Sequence, residues 1–347
     1  MKVKAVPEGM IERLVVAAGR MPTPLMETTG SMWLAQIIAT ATKVGVFEAL
    51  ARESLAKGDV ASRCGTDPFA TGKLLNALVA CGYLRADGDR YALARVARDW
   101  LLEESPVSLR DFMPFQLSEW RRIGRFETFL RSGKPLNVHK EMTGEEWEEY
   151  QRAMRAVASL SAPEVARRTP APADPRTMLD IGGSHGYYSV ALCRRYPRLT
   201  STILELPEAI AHAAGILAAE GMGDRIVHRA GNALTDDLGV DAYDLVFLSH
   251  FVHLFDDQTN LELLKRVGRA VRPGGYVVIQ EIVPPDTAGE GGQGAAVFDL
   301  NFALGHGGSA RPFAEMAAWQ QAAGLTPGER IRLRVGPFGL QPARRPA

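Results

Sequence analysis

The residues able to do chemistry are concentrated in the second half of this sequence. Asp180-Ile181-Gly182-Gly183-Ser184-His185-Gly186 follows one apolar stretch and leads straight into a helical one. Glycines at the carboxyl end of a strand let a ligand approach the backbone closely. A dinucleotide fold would set its glycines as G-x-G-x-x-G against a pyrophosphate. This segment lacks that spacing and has an acid two positions before Gly182. A glycine turn that only packs strand against helix is the plainer reading of the same residues. The next apolar stretch ends in Leu204-Glu205-Leu206-Pro207, where one carboxylate could accept from both hydroxyls of a ribose. His253 and His306 fall on loops at the same sheet edge, and Asp299 or Asp256 could complete two imidazoles and one carboxylate around a metal. Histidines so far apart in sequence also arise by chance.

These residues need a scaffold, and the sequence supplies one. Strands are expected at Thr177–Ile181, Thr200–Leu204, Arg225–His228, Tyr243–Ser249, Tyr276–Ile282 and Arg330–Val335. Helices at Tyr188–Arg195, Glu208–Glu220, Gln258–Ala270 and Pro312–Ala323 alternate with them, the last with Pro312 in its first turn. That alternation predicts an α/β fold, a doubly wound, Rossmann-like sheet covered on both faces. Gly289–Gly294 reads as a flexible loop.

The first half has apolar residues at helical spacing, as in Trp33, Ile37, Ile38, Ala41 and Val44. Thr66-Asp67-Pro68 opens a helix, and Tyr83–Ala86 and Arg90–Leu93 flank the turn at Asp87-Gly88-Asp89. Helix plus hairpin predicts a mainly α-helical, winged-helix-like domain. Phe69 to Gly82 has Lys73 as its one basic residue, too little charge for DNA phosphates, so no nucleic-acid partner is expected. The proline-rich run from Arg167 to Pro175 reads as a linker. The expected division is 1–166 for the helical domain, 167–176 for the linker and 177–347 for the sheet domain.

Composition narrows the function classes. Lys plus Arg and Asp plus Glu each number 40 in 347 residues, so no net field draws the chain to polyanions or anionic membranes. Its 46% hydrophobic content suits a soluble globular protein. Cys64, Cys81 and Cys193 have no metal-ligand spacing and fit reduced thiols. The start of the chain lacks an apolar signal core, and no apolar run suggests a membrane span. A cytoplasmic protein with no membrane partner is expected.

Four stretches together carry a family resemblance. Asp-x-Gly-Gly-x-x-Gly at 180–186 resembles the first motif of class I methyltransferases, and Glu205 follows at a matching distance. Tyr243-Asp244-Leu245-Val246-Phe247-Leu248 and Arg272-Pro273-Gly274-Gly275 before an apolar strand complete the pattern. The chain resembles the caffeate-type O-methyltransferases, including bacterial members that modify aromatic natural products, from about Ser31 to Leu340. The resemblance implies S-adenosyl-L-methionine as cofactor, S-adenosyl-L-homocysteine as product, and a homodimer formed through the N-terminal helices, for which Met32, Trp33, Ile37 and Ile38 offer an apolar face. It implies a cofactor site of Asp180, Gly182, Gly183, Gly186, Glu205, Leu206, Asn232, Ala233, Ser249 and His250, with Asn232 standing where relatives carry an Asp near the adenine.

His253 falls where the family has its catalytic histidine, in His-Leu-Phe rather than His-Asp-Trp, and Glu281 matches the first flanking acid. An imidazole titrates at about 6.5 and a phenol at about 10, so full ionisation would be uphill by roughly 5 kcal/mol and proton removal must accompany methyl transfer. The family's second flanking Glu, in Gly-Gly-Lys-Glu-Arg, is replaced by Ala310 in Gly307-Gly308-Ser309-Ala310-Arg311. The expected acceptor is a small hydroxylated aromatic or polycyclic metabolite, in a pocket of Asp299, Phe302 and Trp120 beside Phe115, Phe126 and Met142. No metal is expected. The alternatives are a metal-dependent C-methyltransferase of a 2-oxo acid with His253, His306 and Asp299 as ligands, a relative using the cofactor for other chemistry, and a DNA-binding regulator. His185 and His250 are expected to line the cofactor, and His139, His212 and His228 to be surface or structural.

Overall fold

A computed structural model describes residues 6–7, 9–284 and 292–347 and divides the chain into two compact units, Met1–Ile123 and Gly124–Ala347. The first unit holds helices α1 (Met10–Ala17), α2 (Thr23–Lys43), α3 (Val46–Ala49), α4 (Lys57–Cys64), α5 (Pro68–Ala80), α6 (Arg95–Leu101) and α7 (Phe112–Ile123), and strands β1 (Leu55–Ala56), β2 (Leu84–Asp87) and β3 (Arg90–Leu93). Asp67 caps α5 by accepting the Ala70 N–H at 2.8 Å, and Pro68 takes the first helical position. Residues Asp87 and Arg90 pair across a two-residue turn, and β1 adds a third antiparallel strand. The winged-helix expectation therefore holds, with one strand more than the sequence indicated. Its core gathers Phe47, Leu50, Leu75, Leu78, Leu84 and Leu93.

The second unit opens with α8 (Phe126–Ser132), α9 (Val138–Glu141) and α10 (Gly144–Arg168). Strands β4 (Thr177–Ile181), β5 (Thr200–Glu205), β6 (Ile226–Ala230), β7 (Tyr243–Ser249) and β8 (Val271–Ile282) follow, with α11 (Tyr187–Arg195), α12 (Pro207–Ala219) and α13 (Asp257–Ala270) between them. The unit closes with α14 (Gln293–His306), α15 (Phe313–Ala322), β9 (Thr326–Pro327), β10 (Ile331–Arg332) and β11 (Phe338–Arg344). The sheet runs β10-β11-β8-β7-β4-β5-β6, with β9 pairing with β11; the strands from β8 to β6 are parallel and β11 is antiparallel.

Alternation along each strand divides its side chains between the two faces. Leu179, Ile181, Val246, Leu248, Val277 and Ile279 meet α13 and α15, whereas Met178, Leu245, Phe247 and Val278 meet α10 and α11. Covering both faces accounts for the near-continuous apolar runs. Chain order reverses between β4 and β7, and this switch point is where open α/β sheets bind ligands.

Four expectations need correction. The boundary at 167–176 lies inside the second unit, because Ala158, Ala162, Val165 and Ala166 bury α10 against the sheet's helical layer. The proline run merely ends that helix. The strand expected over 330–335 shrinks to Ile331–Arg332, and the long edge strand is β11. Gly339 and Pro342 obscure β11 in sequence, although it pairs with β8 from Phe338↔Ile282 to Arg344↔Tyr276. Pro312 is the N-cap of α15, one position before its first turn. Of the expected glycine-rich loop, 289–291 lies outside the described residues, while Gln293 and Gly294 begin α14.

Candidate active site

The turn from β4 into α11 carries Gly182, Gly183 and Gly186. A Cβ on Gly183 would meet the Asp180 carboxyl carbon at 2.5 Å, so glycine lets this backbone lie directly on the acid. Asp180 is buried and accepts from Ser189 Oγ at 2.6 Å, while its Oδ1 has no hydrogen-bond partner among the described residues. Burial pushes its pKa up to about 7, against the Ser189 hydroxyl and with help from the charge of Glu205. Glu205 ends β5, accepts the Leu206 N–H at 2.7 Å, and is likewise raised by burial. Leu206 beside it is 47% exposed, an apolar surface next to a carboxylate.

Sequence reasoning missed Gln151. It is fully buried on α10, where its Oε1 accepts from the Ser184 hydroxyl and its Nε2 has no hydrogen-bond partner among the described residues. No motif marks it; only the fold brings α10 to the glycine loop. His228 Nε2 meets the Ser184 carbonyl at 2.8 Å, giving this histidine a loop-holding contact. His185 is buried, and its pKa falls to about 3 through burial and the nearby Arg155 and His250. Its neutral Nδ1 accepts the Tyr187 N–H at 3.1 Å. Asn232 is exposed beyond β6, and its Oδ1 accepts the Leu234 N–H at 2.9 Å. Ala233 is buried in the sheet core.

At the ends of β7 and β8 a second cluster forms. Ser249 ends β7, and His250 takes a left-handed backbone, φ 50°, that turns the chain back toward the sheet. Glu281 is completely buried on β8 and meets His253 Nδ1 at 3.0 Å and His250 Nδ1 at 3.7 Å. Burial alone would raise its pKa, but the two imidazoles overcome this and hold the carboxyl well below the usual carboxylate range. Glu281 also accepts the His253 backbone N–H at 3.3 Å. An imidazole whose Nδ1–H donates to a carboxylate keeps Nε2 as its basic nitrogen. Phe302 of α14 stacks flat on His253, with centroids 3.8 Å apart and planes 7° apart, which fixes the ring's orientation.

The segment after α14 closes over this pair. A Cβ on Gly308 would collide with the His253 carbonyl, and the Ser309 N–H donates to that carbonyl at 3.1 Å. Ala310 is buried, and its N–H donates to Asp299 Oδ1 at 2.7 Å. Asp299 is therefore engaged in holding this segment. Asp256 caps α13 at the Thr259 N–H, and His306 packs against His139 with centroids 4.4 Å apart. The set His253, His306 and Asp299 is thus not assembled around a metal. Among the described residues, the group of three that could hold one is His250, His253 and Glu281. Trp120 lies in the first unit on α7, partly exposed.

An O-methyltransferase domain matches residues 116–326, and an O-methyltransferase dimerisation domain matches residues 26–103. The chain belongs to the O-methyltransferase family. It is 28% identical over 320 residues to the 3-hydroxy-5-methyl-1-naphthoate 3-O-methyltransferase of Streptomyces sahachiroi, covering 90% of this chain and 91% of that one. It is 29% identical over 276 residues to the 3-amino-4-hydroxybenzoate 4-O-methyltransferase of Streptomyces cremeus, covering 74% and 72%. The fold matches human N-acetylserotonin methyltransferase, solved with S-adenosylmethionine, at TM-score 0.84 and 20% identity over 99% of this chain and 100% of that one.

Proposed function

We propose that this O-methyltransferase moves a methyl group from S-adenosyl-L-methionine to a hydroxyl of a small aromatic or polycyclic metabolite in natural-product biosynthesis, releasing S-adenosyl-L-homocysteine. The observation that carries the reading is the buried His253–Glu281 pair beside the glycine loop of β4. The cofactor fits this edge: Gly183 leaves room where a side chain would stand, and buried Asp180 Oδ1 and Gln151 Nε2 have polar capacity to spare. Bound there, it would supply a methyl group activated by a sulfonium. Glu205 would accept from the ribose hydroxyls, Leu206 would cover an adenine face, and the Asn232 carbonyl keeps a lone pair for the adenine amino group. Backbone at Gly182, Gly186 and Ala233, with Ser249 and His250, would complete the lining. Asp180 and Gln151 would hold the loop and the methionyl end.

His253 Nε2 would take the acceptor's proton as the oxygen–carbon bond forms, and Glu281 would stabilise the resulting imidazolium. Two relatives are named for O-methylation of 3-hydroxy-5-methyl-1-naphthoate and of 3-amino-4-hydroxybenzoate, which favours a hydroxylated aromatic acceptor here. Phe302 and Asp299 would bound its pocket. Two copies would pair through the N-terminal helices, where Met10, Ile11 and Leu14 of α1 and Leu25, Met26 and Trp33 of α2 are exposed. No described helix is long and apolar enough to cross a membrane, and the unpaired Cys64, Cys81 and Cys193 fit the reducing cytoplasm.

Calorimetric titration with S-adenosyl-L-homocysteine, with metal content measured on the same sample, tests this reading. Micromolar binding without metal supports it, and so does gain of one methyl by a hydroxynaphthoate. Absence of binding overturns it, and stoichiometric metal lost on His250→Ala would reassign the His250, His253 and Glu281 cluster.

A further inference from the structure

Glu281 is shared by two imidazoles, one more than a base and its supporting acid require. Its Oε2 lies 3.0 Å from His253 Nδ1 and 3.7 Å from His250 Nδ1. One ligand atom from each of the three residues falls within 4.8 Å of the other two. Zinc holds imidazole nitrogen and carboxylate oxygen at about 2.1 Å, so two ligands of a tetrahedral ion stand about 3.4 Å apart. The two separations from Glu281 fall on either side of that value. Two imidazoles and one carboxylate also select an ion of the zinc class over calcium or magnesium, which take oxygen ligands.

The surrounding elements hold these groups in place. Phe302 stacks flat on the His253 ring, and Phe338 of β11 meets the His250 ring edge-on, with centroids 5.3 Å apart. The left-handed backbone at His250 and the short turn after it bring both rings to the end of β8. The Glu281 and His253 side chains are 0% and 8% exposed, against 28% for His250, so an ion reaches the cluster beside His250. Gln280 supplies the outer contact. Its Nε2 lies 3.5 Å from His250 Nε2, and its Oε1 has no hydrogen-bond partner among the described residues. Donating its N–H suits a His250 whose Nε2 is bare. With the amide turned over, the same residue accepts from a protonated Nε2, as the outer nitrogen of a metal-bound histidine needs.

We propose that His250, His253 and Glu281 form a zinc site whose occupation switches off the base. Zinc acts here as an inhibitor taken up from solution, not as a resident cofactor. The step is a tautomer exchange. Without metal, the single ring proton of neutral His253 sits on Nδ1 and is donated to Glu281. When zinc bonds to the Nδ1 lone pair, that proton moves to Nε2, the atom that would otherwise receive the acceptor's proton. The ring neither gains nor loses a proton, yet Nε2 is left without the lone pair a base needs. The inhibitory consequence deepens the O-methylation reading and rests on it; the metal site itself does not.

Calorimetric titration of the chelator-treated full chain with zinc sulfate, without cofactor or acceptor, tests the proposal. The wild type should take up one zinc per chain with micromolar or tighter affinity. His250→Asn removes the most exposed ligand while tolerating the left-handed backbone, φ 50°. It should weaken binding about 100-fold, at least the loss that follows removal of an outer partner of a metal ligand. If that variant does not fold, Glu281→Gln, an amide of the same shape, takes its place with the same expected loss. Nitrogen-15 spectra of histidine-labelled protein, with the His253 signals identified by their absence from His253→Asn, should show Nε2 changing from bare to protonated as zinc is added. Absence of a saturable site, an affinity unchanged in the variants, or a His253 Nε2 that stays bare with zinc bound overturns the proposal. Failure of the zinc site would leave the methyl-transfer reading standing, whereas failure of S-adenosyl-L-homocysteine to bind would count against that reading and not against the site.

Discussion

Asp180 at the end of β4 and Glu281 at the end of β8 are both almost fully buried carboxyls at one sheet edge, yet their protonation is driven in opposite directions. Asp180 has a hydroxyl as partner and a second carboxylate nearby, so desolvation prevails and its pKa rises to about 7. Glu281 faces two imidazoles, and their attraction prevails over the same desolvation. Burial alone therefore does not fix the charge of an active-site acid; the charge of its partners decides. The contrast suits the two halves of the reaction. The β8 edge holds a carboxylate kept acidic by the two imidazoles, as the proposed base would require, while burial at the β4 edge favours the neutral acid, which a cationic ligand would ionise on binding.

The base side should give the largest effect. His253→Ala is expected to lower kcat by about 100-fold or more while leaving S-adenosyl-L-homocysteine affinity nearly unchanged, since a general base acts in the transition state. Equal losses in kcat and affinity would make His253 a binding residue instead. Glu281→Gln removes the charge but keeps the shape, and should lower kcat on the order of 50-fold through loss of tautomer control and imidazolium support. Full activity in that variant would erase the contrast drawn above.

On the cofactor side, Glu205→Ala should weaken S-adenosyl-L-homocysteine binding on the order of tenfold, through lost charge-assisted hydrogen bonds. Unchanged affinity would displace the ribose from this position. The smallest effect concerns Asp180. Its folded pKa lies above the value of about 3.9 for an unfolded aspartate, so its stabilising contribution is present below that value and is lost as pH rises through about 7. Without cofactor, Asp180→Asn should raise Tm by about 5 °C at about pH 8 and flatten this group's share of the pH dependence, while weakening cofactor binding. A lower Tm at that pH would show that Asp180 is ionised at no cost in the free enzyme.

Much of this molecule is legible in its sequence. Asp67-Pro68 at the start of α5 and the apolar runs of β4 and β7 state their elements directly, because capping and burial act over a few residues. Asp180, Glu205, His253 and Glu281 could be named from local motifs, since each sits at a strand end or just beyond one. Other features depended on contacts between distant segments. Strand β11 contains glycine and proline, and its place is fixed by pairing with β8. The expected boundary at 167–176 failed because α10 is fixed by packing against α11 and α12.

The same division runs through the site. Sequence alone determined which groups can donate, accept or titrate, and which strand end carries them. Tertiary structure decided which of them meet: Glu281 is shared by His250 and His253, Gln151 reaches the glycine loop from a preceding helix, and His306 joins His139 rather than His253. Residue types and short spacings encode local geometry, whereas meetings across 28 residues for His253 and Glu281, or 33 for Ser184 and Gln151, exist only once the sheet and its covering helices have packed.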